Sequence, residues 1–328
     1  MRFTFFFLVC IGVAGAVFIM ASLIGNDYVF YAGYTVLQFI VLATAWNILG
    51  GYTGYVNFGS AAFFALGAYT TVFFYKLYPL PIPLLIVLAG VVSGTVGFGM
   101  GYLALRLRGA FFAIATLALA VVLQTLVINW SFVGGSRGAY VVPPQSVPLI
   151  GNFIHYLFLL MLLLAVIAIT TARTIERSRL GYGFAAIRDD ELAAEACGVP
   201  TLRLKLVATV LSGALMGMAG APFPYYLGYI QPAAAFGLDY AVNAIAMPMI
   251  GGTTSWIGPL IGAVLVASLQ QWATVTMSSE SSLLIVGLLL VGFVIVAPNG
   301  IVGLLQKLIR RTPLPVFVGR RRVRTGAP

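Results

Sequence analysis

Apolar residues run along this chain in stretches that polar residues interrupt only at intervals. Ten such segments stand out: Phe3 to Ile24, Tyr28 to Leu49, Gly54 to Tyr75, Leu80 to Leu105, Ala110 to Trp130, Ile150 to Thr171, Leu206 to Leu227, Leu238 to Ile250, Ile257 to Val275 and Leu283 to Ala297. A helix that crosses a bilayer needs about 20 apolar residues. The pattern therefore predicts an all-α, polytopic transmembrane helical bundle of about ten spans, forming one unit over residues 1–328. The eighth segment is too short to cross alone and is expected to be broken or tilted. The first run is longer than the roughly 7–15-residue apolar core of a signal peptide, so it reads as a retained span.

Composition agrees with lipid as the solvent. Hydrophobic residues make up 61% of the chain and charged residues only 8%, against about 25% charged in a soluble domain. The net charge of +10 is clustered rather than spread. Six of the 18 Lys and Arg fall between Arg173 and Lys205, seven between Lys307 and Arg324, and Arg2, Arg106 and Arg108 add three more. Basic clusters between apolar runs mark a cytoplasmic face, which argues against a nucleic-acid partner. With Arg2 inside, ten spans place all of these clusters on one side, and Asp27, Glu280 and the Tyr78-Pro79-Leu80-Pro81 turn on the other. An eight-span chain also satisfies the even count. Both termini are then cytoplasmic, the basic tail 307–328 included.

Two connections are long. One covers Ser131 to Leu149. The other, residues 172–205, is charged and contains Arg188-Asp189-Asp190-Glu191-Leu192-Ala193-Ala194-Glu195-Ala196-Cys197-Gly198-Val199-Pro200. Asp189 or Asp190 can cap a helix and charge its first turn. The alanines favour helix, and Gly198 and Pro200 stop it. Such a short helix is unstable alone in water. It serves either as a docking element for a cytoplasmic protein or as an amphipathic helix resting on lipid headgroups. The five carboxylates of the loop disfavour an anionic membrane surface. Nothing in the chain matches a G-x-x-x-x-G-K-[ST] phosphate loop.

The stretch Gly183 to Lys205 resembles the EAA-type loop of importer permeases in its branched-chain amino acid variant, through Ala186-Ile187-Arg188-Asp189-Asp190-Glu191, Ala193-Ala194-Glu195-Ala196 and Gly198. Further blocks are similar to the same family in order and spacing. They are Trp46-Asn47-Ile48-Leu49-Gly50-Gly51-Tyr52-Thr53-Gly54 with Phe58-Gly59 and Gly67-Ala68-Tyr69, then Leu105-Arg106-Leu107-Arg108-Gly109 with Phe112 to Leu117. Gly251-Gly252, Gly258-Pro259, Gly262-Ala263 and Pro298 to Gly303 follow. The resemblance covers about Trp46 to Gly303 and is to the branched-chain amino acid ABC transporter permease family, LivM-type membrane subunit. It implies an ABC importer permease that is not itself an enzyme. It implies a second homologous permease subunit, two cytoplasmic ATP-binding subunits that use ATP and Mg, an extracytoplasmic solute-binding protein, and membrane lipid around the chain. No cofactor is implied on this chain. Asp190, Glu191, Ala193, Ala194, Glu195, Ala196 and Gly198 would form the coupling helix. The chain departs from the family at Ser60, where a histidine is usual, and at Val56-Asn57, where Leu-Ser is common.

Transporters often bind solute at helix interruptions in both halves. Gly50 to Gly59 and Gly251 to Gly258 are two such places here, with Thr53, Asn57, Ser60, Gly251, Gly252, Thr253 and Thr254 as candidates to border a translocation pathway. Close helix packing by small residues is the competing explanation. Urea, short amides or another small polar solute remain possible cargoes of the same machinery. A stand-alone secondary transporter would need intramembrane carboxylates, which the spans lack apart from Asp239 at the start of the eighth. That residue also fits an interfacial helix cap. His155, the one histidine, fits an interfacial position. A single histidine without a carboxylate cluster points to neither a metal site nor a catalytic triad. Cys10 and Cys197 have no evident partner for a disulfide.

Overall fold

The computed structural model describes residues 3–144, 146–147, 151–276, 287–288, 291–292 and 300–304. The chain begins with five long helices: α1 (Phe3–Ile24), α2 (Asp27–Thr53), α3 (Ser60–Leu77), α4 (Ile82–Ala104) and α5 (Ala110–Ile128). Two short 3-10 turns follow, then β1 (Ala139–Tyr140), β2 (Ser146–Val147) and β3 (Gly151–Asn152). Next come α6 (Phe153–Glu176), α7 (Arg179–Asp189), α8 (Glu191–Ala196), α9 (Thr201–Gly220), α10 (Phe223–Leu227) and β4 (Tyr229–Ile230). The described elements end with α11 (Pro232–Ala235), α12 (Leu238–Gly251) and α13 (Ile257–Thr276). β1 pairs with β4 and β2 with β3, each pair antiparallel and two residues long. The architecture is an all-α transmembrane bundle.

Among the described residues, eight helical stretches are long and apolar enough to cross a membrane. The 18-residue α3, diluted by Tyr69, Thr70, Thr71, Tyr75 and Lys76, is a ninth segment whose first two-thirds is buried in the bundle. Most of the tenth segment, and all of the basic tail, Arg2 and Glu280, lie outside the described residues. The short eighth segment, expected to be broken or tilted, forms one helix, α12; the break lies just before it, at Phe236-Gly237, and α11 with α12 makes a 20-residue stretch, Pro232–Gly251. The third segment starts later than its hydropathy predicts. Gly54 closes α2 in the left-handed region at φ 78°, and residues 54–59 run unwound before α3. The indole N–H of Trp46 donates to the Asn57 carbonyl at 2.9 Å, and Asn57 Oδ1 accepts from the Gly59 amide at 2.8 Å, fixing that path.

Cross-connections sort the helix ends onto two faces. On one face, Lys205 Nζ donates to the Leu105 carbonyl at 3.1 Å, and the Trp256 amide donates to Glu176 Oε2 at 2.7 Å. On the other, Asp27 Oδ1 lies 3.2 Å from His155 Nε2, Lys76 Nζ donates to the Phe132 carbonyl at 3.0 Å, and the Val141 amide donates to the Gly228 carbonyl at 2.9 Å. Arg106, Arg108 and the six basic residues from Arg173 to Lys205 thus share one face, while Lys76 and Arg137 are on the opposite one. The alternation read from charge is the alternation of the fold. His155 and Asp27 join α6 to α2 at that second face, and Asp239 is exposed in the first turn of α12.

Lipid gives apolar helices no reason to prefer one another, so close backbone approach has to hold them. The most extensive helix pair is α4 with α9. Gly90, Gly94, Gly97 and Gly101 form one face of α4, and their α-carbons look onto Met218, Ala214, Thr209 and Leu206 of α9. α3 crosses α9 where a Cβ on Gly67 would run into the Gly217 carbonyl. Ser93 Oγ reaches over the same crossing to the Phe63 carbonyl at 3.1 Å. The α12–α13 turn is equally tight: a Cβ on Gly251 would strike the Gly258 carbonyl, and one on Gly262 the Met247 carbonyl.

Gly67→Val is therefore expected to destabilise the bundle by about 3 kcal/mol through overpacking. Gly99→Ala, with nothing within 4 Å of the added methyl, is expected to be neutral. Thermal unfolding of the two variants in detergent checks this, and equal midpoints would contradict the packing account.

Candidate functional site

The charged loop folds as two helices, where one was expected. Ser178 caps α7, its hydroxyl accepting from the Leu180 amide at 3.2 Å, and Phe184 and Ile187 turn that helix into the bundle. Gly181 and Gly183 hide α7 from a propensity reading, since each glycine costs a helix about 1 kcal/mol. At Asp190 the backbone is extended and its carboxylate accepts from the Ala193 amide at 3.0 Å, ending α7 and opening α8. Gly198, at φ 82°, donates to the Glu195 carbonyl at 2.9 Å and stops α8 before α9 begins at Thr201. The cap and stop therefore sit at residues named from sequence.

Beneath α8 lies a buried polar knot. The Lys205 ammonium, on a residue only 3% exposed, donates to Glu191 Oε1 at 2.7 Å, to the Tyr55 hydroxyl at 3.1 Å and to the Leu105 carbonyl at 3.1 Å. An ammonium has three donors, and all three are used. The Tyr55 hydroxyl in turn donates to Glu191 Oε2. Arg108 approaches from outside, with Nε 3.8 Å from Glu191 Oε2 and Nη2 3.7 Å from Glu195 Oε2. Thr201 Oγ1 donates to Glu195 Oε1 at 2.6 Å. Burial works to raise the Glu191 carboxyl. The hydrogen bonds from Lys205 and Tyr55 and the charges of Lys205 and Arg108 outweigh it and hold the group below its ordinary value.

A second clasp secures the start of the loop. Glu176 accepts from the Trp256 amide, and the Arg173 guanidinium lies 3.5 Å from the Phe6 ring centroid and 5.7 Å from that of Trp256. The loop thus touches the α12–α13 turn at one end and the ends of α2, α4 and α9 at the other.

The candidate coupling residues divide by direction. Asp190, Ala193, Glu195, Ala196 and Gly198 are exposed. Ala194 is 6% exposed and faces its own chain, so it supports the helix from beneath where a surface approached by another protein was expected. Glu191 is likewise mostly turned inward. Two exposed apolar side chains share the loop, Tyr182 at 75% and Leu192 at 63% exposure. Alanine content drew attention to α8, whereas single large residues in a charged loop carry no periodic signal.

The candidate pathway residues also divide. Thr53, Asn57 and Ser60 are buried, with Thr53 Oγ1 donating to the Leu49 carbonyl at 2.6 Å. Asn57 Nδ2 and Ser60 Oγ are buried without a hydrogen-bond partner among the described residues, as is Thr44 Oγ1, which sequence reading missed. Gly251 and Gly252 are buried in the tight α12–α13 turn, Thr253 is half-buried and Thr254 exposed. The two interruptions meet: a Cβ on Gly51 would lie 2.7 Å from the Thr253 carbonyl. They meet at the face that carries the charged loop. Asn243 and Gln270, bonded at 2.9 Å, add a polar pair between α12 and α13. Lys205 was counted in sequence only as a positive charge. Its position between Leu204 and Leu206, at the start of an apolar run, is the signal that it is buried. Among the described residues no group of three His, Cys, Asp or Glu is placed to hold a metal.

A family described as branched-chain amino acid transport system / permease component matches residues 28–294. The chain is 29% identical over 288 residues to the high-affinity branched-chain amino acid transport system permease protein LivM of Salmonella typhimurium, covering 80% of this chain and 67% of that protein. It is 25% identical over 277 residues to the probable branched-chain amino acid transport permease protein LivH of Methanocaldococcus jannaschii, covering 79% and 86%. It is 24% identical over 186 residues to the autoinducer 2 import system permease protein LsrC of Yersinia enterocolitica, covering 54% and 50%. No solved structure matches the chain.

The lowered Glu191 value has a definite sign. A carboxyl depressed in the folded state stabilises the fold fully above its ordinary value of 4.5, and this contribution is lost as pH falls through the folded-state value. At pH 7, Glu191→Gln is expected to cost on the order of 2 kcal/mol, the worth of hydrogen bonds to a charged group. As pH falls below 4.5 and through the lowered folded-state value, the gap to the parent should narrow, because the parent then carries a neutral carboxyl of the same shape. Thermal unfolding across that range measures it. A gap that stays constant with pH would show that Glu191 is not held as a carboxylate.

Proposed function

The chain belongs to the branched-chain amino acid transport permease family, and from that membership we propose that it is a membrane-spanning subunit of an ABC importer for branched-chain or related hydrophobic amino acids. In this reading the chain hydrolyses nothing and binds no cofactor. ATP and Mg are used by two cytoplasmic ATP-binding subunits, a second homologous permease completes the membrane part, and an extracytoplasmic solute-binding protein delivers cargo. The face carrying the loop 172–205 and the basic clusters is cytoplasmic, with both termini on that side of the bacterial cytoplasmic membrane.

The observation that carries the reading is the placement of α7 and α8. A six-residue helix could not hold its shape alone in water. Here it is fixed from beneath by a buried ion pair and presents small and apolar residues outward: Ala193 and Ala196 beside Leu192, with Tyr182 on α7. Small side chains let another surface come close, and the exposed side chains of Leu192 and Tyr182 offer that surface apolar contact. In the coupling role, Leu192 and Tyr182 act as anchors and Asp190, Glu195 and Gly198 lie around them.

For the route itself, the reading is supported by the buried polar atoms of Asn57, Ser60 and Thr44. Each such atom left without a partner costs about 1–3 kcal/mol. A bundle in lipid retains that cost most readily where water or a polar solute reaches the site. Thr53, Gly251, Gly252, Thr253 and Thr254 border the same region from the two interruptions. Cargo class follows from the relatives, whose own named solutes include branched-chain amino acids and autoinducer 2.

Leu192→Asp and Ala196→Arg are each expected to lower co-purification of the ATP-binding subunits about ten-fold, equal to roughly 1.4 kcal/mol, with the permease still inserted. Normal recruitment and uptake in both variants would overturn the docking role. In a background lacking Cys10 and Cys197, an impermeant thiol reagent on intact cells should modify Tyr140→Cys and spare Tyr182→Cys. The reverse labelling pattern would invert the orientation.

A further inference from the structure

The docking reading leaves open how a push on a six-residue helix reaches the membrane spans, and the polar knot bears on this. We propose, resting on that reading, that Lys205 is the positioning residue that fastens the loop to the bundle, so that movement imposed on α8 is delivered at one point to α2, α4 and α9. Its three hydrogen bonds end on three separate parts of the fold: Glu191 of α8, the Leu105 carbonyl at the end of α4, and Tyr55 just past the end of α2. Its own backbone belongs to α9, which packs along α4, α3 and α2. One ammonium therefore joins four elements.

Among the described residues no other side chain joins the same four elements. Of the basic residues in the loop, Arg177, Arg179, Arg188 and Arg203 are exposed, and Arg173 clasps Phe6 and Trp256 at the opposite end. Arg108 reaches Glu191 only at 3.8 Å from a side chain that is 51% exposed, a kind of contact that contributes little when water competes. The other inward contacts of α8 are the methyl group of Ala194, the Tyr55 hydroxyl on Glu191 Oε2, and Glu195 Oε1 accepting from Thr201 at the start of α9; none of them reaches the end of α4. A buried pair resists separation because each charge, once alone, stays desolvated. That resistance is what a mechanical link needs. Lysine suits the position because its three donors diverge, whereas the planar guanidinium of arginine could not meet the same three acceptors as well.

The test uses the assembled transporter in vesicles, measuring ATP hydrolysed and cargo moved together. Lys205→Met is expected to keep the ATP-binding subunits bound and ATP hydrolysis within about three-fold of the parent, while cargo moved per ATP falls about ten-fold. Lys205→Arg, which keeps the charge facing Glu191, should recover a substantial part of that ratio. If Lys205→Met does not insert, Glu191→Gln is measured by the same criterion. A cargo-to-ATP ratio within two-fold of the parent would overturn the proposal. So would loss of the ATP-binding subunits in these variants, since the pair would then serve docking rather than transmission.

Spin labels at Leu192→Cys and Leu107→Cys in the isolated chain separate this proposal from the docking reading. The parent should give one narrow distance and Lys205→Met a broad distribution. An unchanged distribution would overturn the latch whatever the loop binds. A parent chain that fails to bind any ATP-binding subunit would overturn the docking reading instead, and the distance measurement would still decide whether Lys205 holds the loop.

Discussion

Close backbone approach between helices is the constraint on which the rest of this fold depends. In water, apolar helices associate because water excludes them. In lipid that force vanishes, and helices stay together only where they fit closely or hydrogen-bond. The glycine face of α4 against α9, the Gly67–Gly217 crossing and the Gly251–Gly258–Gly262 turn supply that fit. Contacts this tight leave no slack for one helix to slide past another. The helices so joined behave as a block, and any motion the protein makes is motion of blocks.

That rigidity gives meaning to the polar knot at one end. A buried lysine–glutamate pair adds little net stability, because desolvating both charges costs about as much as their attraction returns. What it does provide is a defined position that is expensive to leave. Lys205 and Glu191 sit where the ends of α2, α4 and α9 converge, and Glu176 with Arg173 holds the other end of the loop to Trp256. The loop is thereby attached to both parts of the bundle: the α3–α4–α9 packing through Lys205, and the α12–α13 turn through Glu176. A helix too short to fold unaided becomes a fixed surface through those two attachments.

Much of this was legible in the sequence because lipid imposes simple rules. Apolar runs gave the spans, and the clustering of Arg106, Arg108 and Arg173 to Lys205 gave the alternation of faces that the helix ends then follow. Asp190 and Gly198 marked the bounds of α8 because caps and left-handed stops are local chemistry. What escaped was set by tertiary contact. Gly181 and Gly183 disguise α7, which is held by Phe184 and Ile187 packing inward rather than by propensity. The glycines mark an interruption between Gly50 and Gly59, but its extent is hidden by the apolar run that begins at Gly54, and the Trp46–Asn57 bond shows how residues 54–59 are held unwound. Ala193, Ala194 and Ala196 look alike in sequence, yet the buried side of α8 selects Ala194 alone. The burial of Lys205 depends on three acceptors from distant parts of the chain, which no local pattern encodes.

The meeting of the two helix interruptions ties these strands together. Gly51 abuts the Thr253 carbonyl, Gly54 lies against Arg188 of α7, and Thr253 is three residues from the Trp256 amide that Glu176 accepts. The places where the spans are broken are therefore the places the loop touches. Local geometry alone explains the glycines: a Cβ on Gly51 or Gly251 would strike backbone, and Gly54 has φ 78°. It does not explain why Asn57 Nδ2, Ser60 Oγ and Thr44 Oγ1 stay buried without partners when alanine or valine would avoid the cost. A polar core adjoining the loop attachments is the arrangement expected if the loop's position and the state of that core are linked. In a bundle otherwise held by glycine contacts, the unwound segment 54–59 and the α12–α13 turn are two non-helical connections at the face that carries the loop. They are where such a link can be made without tearing a helix.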